Sequence, residues 1–396
     1  MSADGRFVAF QSLAQDLVAG TSGAADIFVH DRDADSDGIF DETGAGERAT
    51  VLISLSGDGT PSNQGGIQPS ISADGRFVAF ASLGNNLVSG DNNMTLDVFV
   101  HDRDADTDGI FDETGIGERA TFRVSVLPDG TEGNHESGSV FASPVSATGR
   151  FVTFVSKANN LVAGDIDMFN AILKIFVHDR DADNDGLFDE TGVGERATVL
   201  VSVSSSGAQA TNSSTDRSMS ADGRFVAFQS LAQDLVAGTS GAADIFVHDR
   251  DADNDGIFDE TGAGERATVL ISLASDGTPS NQGGIQPSIS ADGRFVAFAS
   301  LGNNLVSGDN NMGLDIFVHD RDADADGIFD ETGIGERATF RVSVLPDGTE
   351  ANASCVMPSI SADGRFVAFQ SPATNLTIPA DMFGFDDIFL AATGIP

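Results

Sequence analysis

The sequence predicts an all-β fold, a six-bladed β-propeller of four-stranded antiparallel blades. Three observations predict it. The phrase SADGRFVAF starts at Ser2, Ser72, Ser220, Ser290 and Ser361, and a variant, SATGRFVTF, starts at Ser146. Each repeat divides into four short apolar segments separated by turn residues, the pattern of strands and not of helices. No segment shows helical periodicity with caps.

The repeat spacings are 70, 74, 74, 70 and 71 residues. A longer period overlies them. Residues 2–133 match 220–351 at an offset of 218 with seven differences, among them Ser36/Asn254, Thr95/Gly313 and Gly133/Ala351. The third and sixth units correspond more loosely, sharing Asp-Met-Phe at Asp167 and Asp381. The expectation is one propeller domain over 1–396, a duplication of three blades, with units beginning near 2, 72, 146, 220, 290 and 361.

The second unit illustrates the four strands. Residues 68–72 form a short first strand that ends at the turn Ala73-Asp74-Gly75, where the Asp-Gly pair is expected to supply the positive φ angles of a tight hairpin. Residues 76–82 are apolar on both faces, as in a strand packed between neighbours. Residues 97–102 are rich in β-branched and aromatic side chains. Residues 120–127 alternate and are more polar, closed by turn signals such as LPDGT. Four strands per unit, repeated six times, suit radial blades. A parallel β-helix has much shorter repeats, and a sandwich needs about seven strands per domain.

The pair SADGRFVAFxS and DIFVHD resembles the TolB-like propeller repeat, whose pattern is S-x-D-G-x-x-I-A-F followed by an I-Y-V-x-D strand. Phe28, Phe99, Phe176, Phe246, Phe317 and Phe389 stand where that repeat commonly has tyrosine. The resemblance covers nearly the whole chain. It implies the propeller fold and a family that includes periplasmic scaffolds binding partner proteins and propeller domains attached to peptidases. No peptidase domain accompanies the repeats here.

Five units carry an acidic insertion between third and fourth strands. The first gives Asp33, Asp35, Asp37, Gly38, Ile39 and Asp41, a D-x-D-x-D-G-x-x-D pattern. It recurs at Asp104, Asp106, Asp108, Ile110 and Asp112; at Asp181, Asp183, Asp185, Leu187 and Asp189; at Asp251, Asp253, Asp255, Ile257 and Asp259; and at Asp322, Asp324, Asp326, Ile328 and Asp330. Alternate carboxylates converge on one cation if the loop curls, and Gly38 permits the curl. Ile39 then offers its carbonyl, and Asp41, or alternatively Glu42, closes the site. Ca²⁺ takes six to eight such oxygens, whereas Mg²⁺ keeps its waters. The expectation is about five calcium ions. The loops resemble those of integrin α-subunit propellers and thrombospondin type 3 repeats. They depart from the EF-hand, because position 12 is Gly44.

The chain has 61 acidic against 21 basic residues and a net charge of −40. Such a surface repels phosphate backbones and anionic lipids, which excludes nucleic acid as a partner. A surface suited to salty water is the other source of this acidity. No apolar run reaches 18 residues, so no membrane-spanning segment is expected. Cys355 is the single cysteine, so no disulfide forms within the chain.

No enzyme is expected. Histidines 30, 101, 178, 248 and 319 each end a V-H-D strand on a different blade, as structural residues rather than zinc ligands. His135 stands alone in a loop. The Asp of SADGR reads as a turn residue, and Arg6 as a partner for carboxylates on the next blade. The stretches that break the symmetry, 137–155, 165–174, 204–217 and 373–385, bring no acid, base and nucleophile together, and a sialidase-type site lacks its tyrosine.

The chain begins at a second strand and ends after a third, without a visible signal peptide. Unpaired strand edges are therefore expected, completed by the rest of a longer secreted protein or by head-to-tail copies forming filaments. The expected function is a secreted or cell-surface calcium-binding scaffold, with the periplasm as an alternative location. Its partners would be a protein or copies of itself. The alternative function is a carbohydrate- or ligand-binding propeller module.

Overall fold

The computed structural model describes residues 1–396 except Ser22, 139–142, Met168, Asn170, 378–383 and 395–396. Its described residues form 21 strands and no helix, in six antiparallel sheets of three or four strands. They fall into two compact units, Met1–Leu200 and Val201–Pro396.

The first unit holds three sheets. The first is β1 (Phe7–Ser12), β2 (Asp26–Asp31) and β3 (Ala49–Leu52). The second is β4 (Ile67–Ile71), β5 (Phe77–Ser82), β6 (Asp97–Asp102) and β7 (Ala120–Arg123). The third is β8 (Phe151–Ser156), β9 (Lys174–Asp179) and β10 (Ala197–Leu200). The second unit repeats the plan. Its sheets are β11 (Ser214–Met219) with β12 (Phe225–Ser230), β13 (Asp244–Asp249) and β14 (Ala267–Leu270); β15 (Ile285–Ile289) with β16 (Phe295–Ser300), β17 (Asp315–Asp320) and β18 (Ala338–Arg341); and β19 (Val356–Ile360) with β20 (Phe366–Ser371) and β21 (Asp387–Ala392). Each sheet is a simple meander, the blade expected from the repeats.

The two middle strands carry the core because neighbouring sheets cover both of their faces. Every residue of β5 and β6 is buried. Their register places Phe80 opposite Phe99, and the rings stack with centroids 5.9 Å apart. The equivalent pair stacks in all six sheets, from Phe10–Phe28 to Phe369–Phe389. Burial of one such ring contributes about 2–3 kcal/mol.

The turn between first and second strands interlocks adjacent sheets. Gly75 N donates to Ser72 O at 3.0 Å, while the Asp74 carboxylate accepts from Ser72 Oγ and Arg76 N. Gly75 alone of the Asp-Gly pair takes positive φ, at 82°. The expected double-positive turn is thus replaced by one in which the aspartate side chain closes the loop. Ala3 N donates to Ala73 O, and Ala73 N to Ala147 O, linking successive sheets of the first unit. Ala221, Ala291 and Ala362 repeat this in the second.

The fourth strand is shorter than the expected 120–127. Regular pairing stops at Arg123 because Ser125 turns inward, its Oγ donating to the buried Asp97 carboxylate at 2.6 Å.

Candidate cation-binding loops

The loop after β6 starts from two charged anchors. Asp102, at the strand end, takes a two-point ion pair from Arg76 at 2.7 Å and accepts a hydrogen bond from Asp104 N. Arg76 is the equivalent of Arg6, which was expected to reach a carboxylate on the next blade. Both instead stay on their own sheet, Arg6 pairing with Asp31 at 2.8 Å, because the register sets each strand end beside the other. Arg103 turns back under the loop. Its guanidinium donates to Gly75 O at 2.6 Å and to the Asp112 carboxylate, and lies over the rings of Phe7 and Phe111.

On these anchors the chain curls. The Asp104 carboxylate accepts from Asp108 N at 3.0 Å and Gly109 N at 3.2 Å, and Asp108 accepts from Ile110 N at 2.8 Å. Thr107 and Gly109 take positive φ, 64° and 88°, which completes the turn. Ala105 N bonds Glu118 O at 2.8 Å and draws the far arm of the loop back. As a result Asp104, Asp106 and Asp108 each bring a carboxylate oxygen within 4.8 Å of the others. Asp33, Asp35 and Asp37 do the same in the first loop. The other three loops share the hydrogen bonds, with Asp181, Asp251 and Asp322 each accepting from the amides four and five residues on, those of Asp185 and Gly186, Asp255 and Gly256, and Asp326 and Gly327. Asp183, Asp253 and Asp324 stand at the middle acidic position of those loops.

The fourth expected ligand is paired with arginine. Asp41, Asp112, Asp189, Asp259 and Asp330 are held by Arg32, Arg103, Arg180, Arg250 and Arg321. The guanidinium that holds this carboxylate is itself packed on phenylalanine. The side chains of Ile39, Ile110, Leu187, Ile257 and Ile328 stand about half exposed. Two glutamates gather on the middle aspartate in a second group. Asp35 gathers with Glu42 and Glu47, and Asp106 with Glu113 and Glu118. Glu42 was the alternative closing residue; Glu47 and its equivalents escaped the sequence reading, although the recurrent GERA tetrapeptide marks them.

Like charge shows in the proton affinities. Glu47, Glu195, Glu265 and Glu336 are raised above the usual carboxylate range, first by the neighbouring Asp35, Asp183, Asp253 and Asp324. Glu118 is raised by burial and then by Asp106. Burial raises Asp104, Asp181 and Asp251 against the pull of their hydrogen bonds. At Glu47, Glu195, Glu265 and Glu336 the neighbouring carboxylate is thus the largest cause, so like charge crowds these loops.

A second acidic group escaped the sequence reading too. Asp91, Asp97 and Glu132 converge, but Arg123 sits among them at 3.6, 3.7 and 2.9 Å. Arg341 does the same for Asp309, Asp315 and Glu350. An internal cation already serves these sites. Burial pushes Asp97 up to about 6.

The V-H-D histidines are structural. His101 Nδ1 meets Thr121 Oγ1 at 2.8 Å, and Thr121 Oγ1 donates to Leu55 O of the preceding sheet at 2.6 Å. Burial lowers His101 and His178 to about 3, and His248 and His319 to about 4. Cys355 is buried, which pushes its thiol up to about 11. The Asp-Met-Phe at 381–383 lies outside the described residues, as do 139–142.

No family model and no curated sequence matches the chain. Similar solved structures include a putative TolB from Agrobacterium tumefaciens, 11% identical, covering 87% of this chain and 94% of that one with a TM-score of 0.39. TolB from Acinetobacter baumannii is 12% identical over 99% of this chain and 65% of its own, with a TM-score of 0.40. The β-propeller domain of the Trilobed protease from Pyrococcus furiosus is 9% identical over 99% and 80%, with a TM-score of 0.46.

Proposed function

We propose that the chain is a calcium-stabilised scaffold of propeller blades, secreted, on the cell surface or in the periplasm, whose partner is a protein, another copy of the chain included. One observation carries this reading: the curl that gathers the first, third and fifth positions of the acidic loop, Asp104, Asp106 and Asp108 in the second sheet. Ca²⁺ takes six to eight oxygens at about 2.3–2.6 Å. The three aspartates supply part of that shell. Glu113 and Glu118, gathered on Asp106, supply more. Asp112 and its equivalents, held by arginine, serve the loop as anchors.

Calcium modules outside the cell bind with Kd of about 10⁻⁴–10⁻³ M, which matches a millimolar-calcium surrounding. The ion's role here is mechanical, because the loop's own carboxylates repel one another and a bound ion turns that repulsion into cohesion. Binding to the folded state alone stabilises it by mass action. No catalytic role is assigned to any residue.

The test is calcium binding to chelator-treated protein by calorimetry, with melting curves in parallel. The expected result is about five ions per chain and a melting temperature that rises with calcium. A melting temperature indifferent to millimolar calcium and to chelator overturns the reading.

A further inference from the structure

In the fifth sheet, the loop before β15 and the loop joining β16 to β17 border an open cavity of about 400 Å³. Amides line it: Asn281, Gln282, Asn303 and Asn310, beside the exposed apolar side chains of Leu301 and Met312. We propose that this cavity, and the equivalent residues of the second sheet, bind neutral oligosaccharide.

The amides are set in fixed orientations. Asn281 Nδ2 donates to Asn303 Oδ1 at 2.7 Å, which leaves Asn281 Oδ1 to accept and Asn303 Nδ2 to donate. Asn310 Nδ2 donates to Gly308 O at 2.9 Å, leaving its Oδ1. Gln282 is exposed and keeps both functions for a ligand. Groups that donate and accept side by side suit hydroxyls, which do both.

Asp309 also lines the cavity, and its charge is paired. Asp309 faces Arg341 at 3.4 Å, and Glu350 accepts from Arg341 and from Asn310 N. A chain of net charge −40 disfavours anionic sugars.

Met312 supplies the apolar side of the cavity in an uncommon backbone state. It is 91% exposed, yet its φ is 56°. Non-glycine residues enter that region rarely. Asn311 enforces it, accepting from Gly313 N at 2.8 Å while donating to Asp315 and to Ala351 O. A loop that spends three side-chain hydrogen bonds to hold a methionine in water is presenting it to something. Met312 and Leu301 together offer an exposed apolar surface for the C–H face of a sugar ring.

The second sheet holds the same residues, Asn63, Gln64, Leu83, Asn85, Asn92 and Met94. Asn63 Nδ2 donates to Asn85 Oδ1 at 2.7 Å, and Met94 has φ 56°. The corresponding loops of the third and sixth sheets change the chemistry, with His135 and Lys157 in one and Pro372 and Thr374 in the other. Two sites on one chain favour a polymer or a glycan-dense surface by avidity. This site is independent of the acidic loops and of any cation.

Saturation-transfer NMR on the full chain tests the proposal. Gluco-, manno-, galacto- and xylo-oligosaccharides are compared with a uronic-acid oligosaccharide and an asparagine-rich peptide. One variant combines Gln64→Ala, Asn85→Ala, Gln282→Ala and Asn303→Ala; a second combines Met94→Gly and Met312→Gly, which relieves the positive φ and keeps the fold. At least one neutral oligosaccharide is expected to bind, about ten-fold more weakly in each variant. Absence of transfer to any neutral sugar, binding untouched by both variants, or stronger binding of the uronate or the peptide overturns it.

Discussion

Arg103 holds Asp112 from beneath the acidic loop, its Nε donating to Asp112 Oδ1 at 2.9 Å while Nη1 donates to Gly75 O at 2.6 Å. The side chain of Arg103 is only 2% exposed, between the rings of Phe7 on the preceding sheet and Phe111 on its own loop. One guanidinium thus ties together two sheets and the base of the loop. The same arrangement recurs at Arg321, with Asp330, Gly293 O, Phe225 and Phe329.

Replacing Arg103 by methionine keeps much of the volume and leaves Asp112 and Gly75 O without their donor. Removing one partner of a buried pair typically costs about 3 kcal/mol or more. The variant is therefore expected to unfold at lower urea, by about that amount, with or without calcium. An unchanged urea midpoint would place the loop's support elsewhere.

Asp106 joins Asp104 and Asp108 on one side and Glu113 and Glu118 on the other. Asp106→Asn removes one charge from both groups. In chelator it relieves repulsion, and the melting temperature is expected to rise by about 1–3 °C. In millimolar calcium one site is weakened, and the melting temperature is expected to fall by about 3 °C. The reversal of sign is the signature. Shifts of the same sign in both buffers would separate the loop's folding from any ion.

His101 titrates at about 3 in the folded chain, against about 6.5 when exposed. The unfolded chain therefore binds the extra proton across that window. The stability His101 contributes as a neutral ring is complete above about pH 6.5 and is lost as pH falls toward 3. His101→Asn offers an amide N–H to Thr121 in place of Nδ1–H and does not titrate. Between pH 6 and 4.5 its unfolding free energy is expected to fall less steeply than wild type, by up to about 1.4 kcal/mol per pH unit. Parallel slopes would mean that His101 protonates without unfolding.

The strands and their antiparallel blades were legible because the same four-segment pattern recurs from unit to unit. A phenylalanine of the third segment meets one of the second in every sheet, from Phe10–Phe28 to Phe369–Phe389, and turn residues mark each end. The acidic curl was legible too, since Asp104, Asp106 and Asp108 alternate along a glycine-containing loop. The fate of Asp112 was hidden. Its partner, Arg103, is positioned by packing on a phenylalanine about a hundred residues earlier, and spacing along the chain carries no sign of that contact. Glu118 was hidden because the far arm is folded back by the backbone bond from Ala105 N to Glu118 O and by the pairing of Ala120 with Asp102. Likewise Arg6 was assigned to the wrong sheet, since the register that sets it beside Asp31 appears only once strands pair.

Gly75 tests the interlock between sheets. At φ +82° a side chain is already strained, and an added Cβ would lie 2.2 Å from the ring of Phe7, which is itself buried under Arg103. Gly149 stands in the same relation to Phe77, Gly293 to Phe225 and Gly364 to Phe295. The ring cannot swing aside without unseating the guanidinium over it. Gly75→Ala is therefore expected to cost about 2–4 kcal/mol, more than the backbone strain alone. Gly109→Ala is the control, because its φ is +88° but nothing lies within 4 Å of the added Cβ. It is expected to cost about 1 kcal/mol, the strain without the clash. Denaturant titration of both variants separates the two contributions, and equal losses would show that the phenylalanine contact holds nothing.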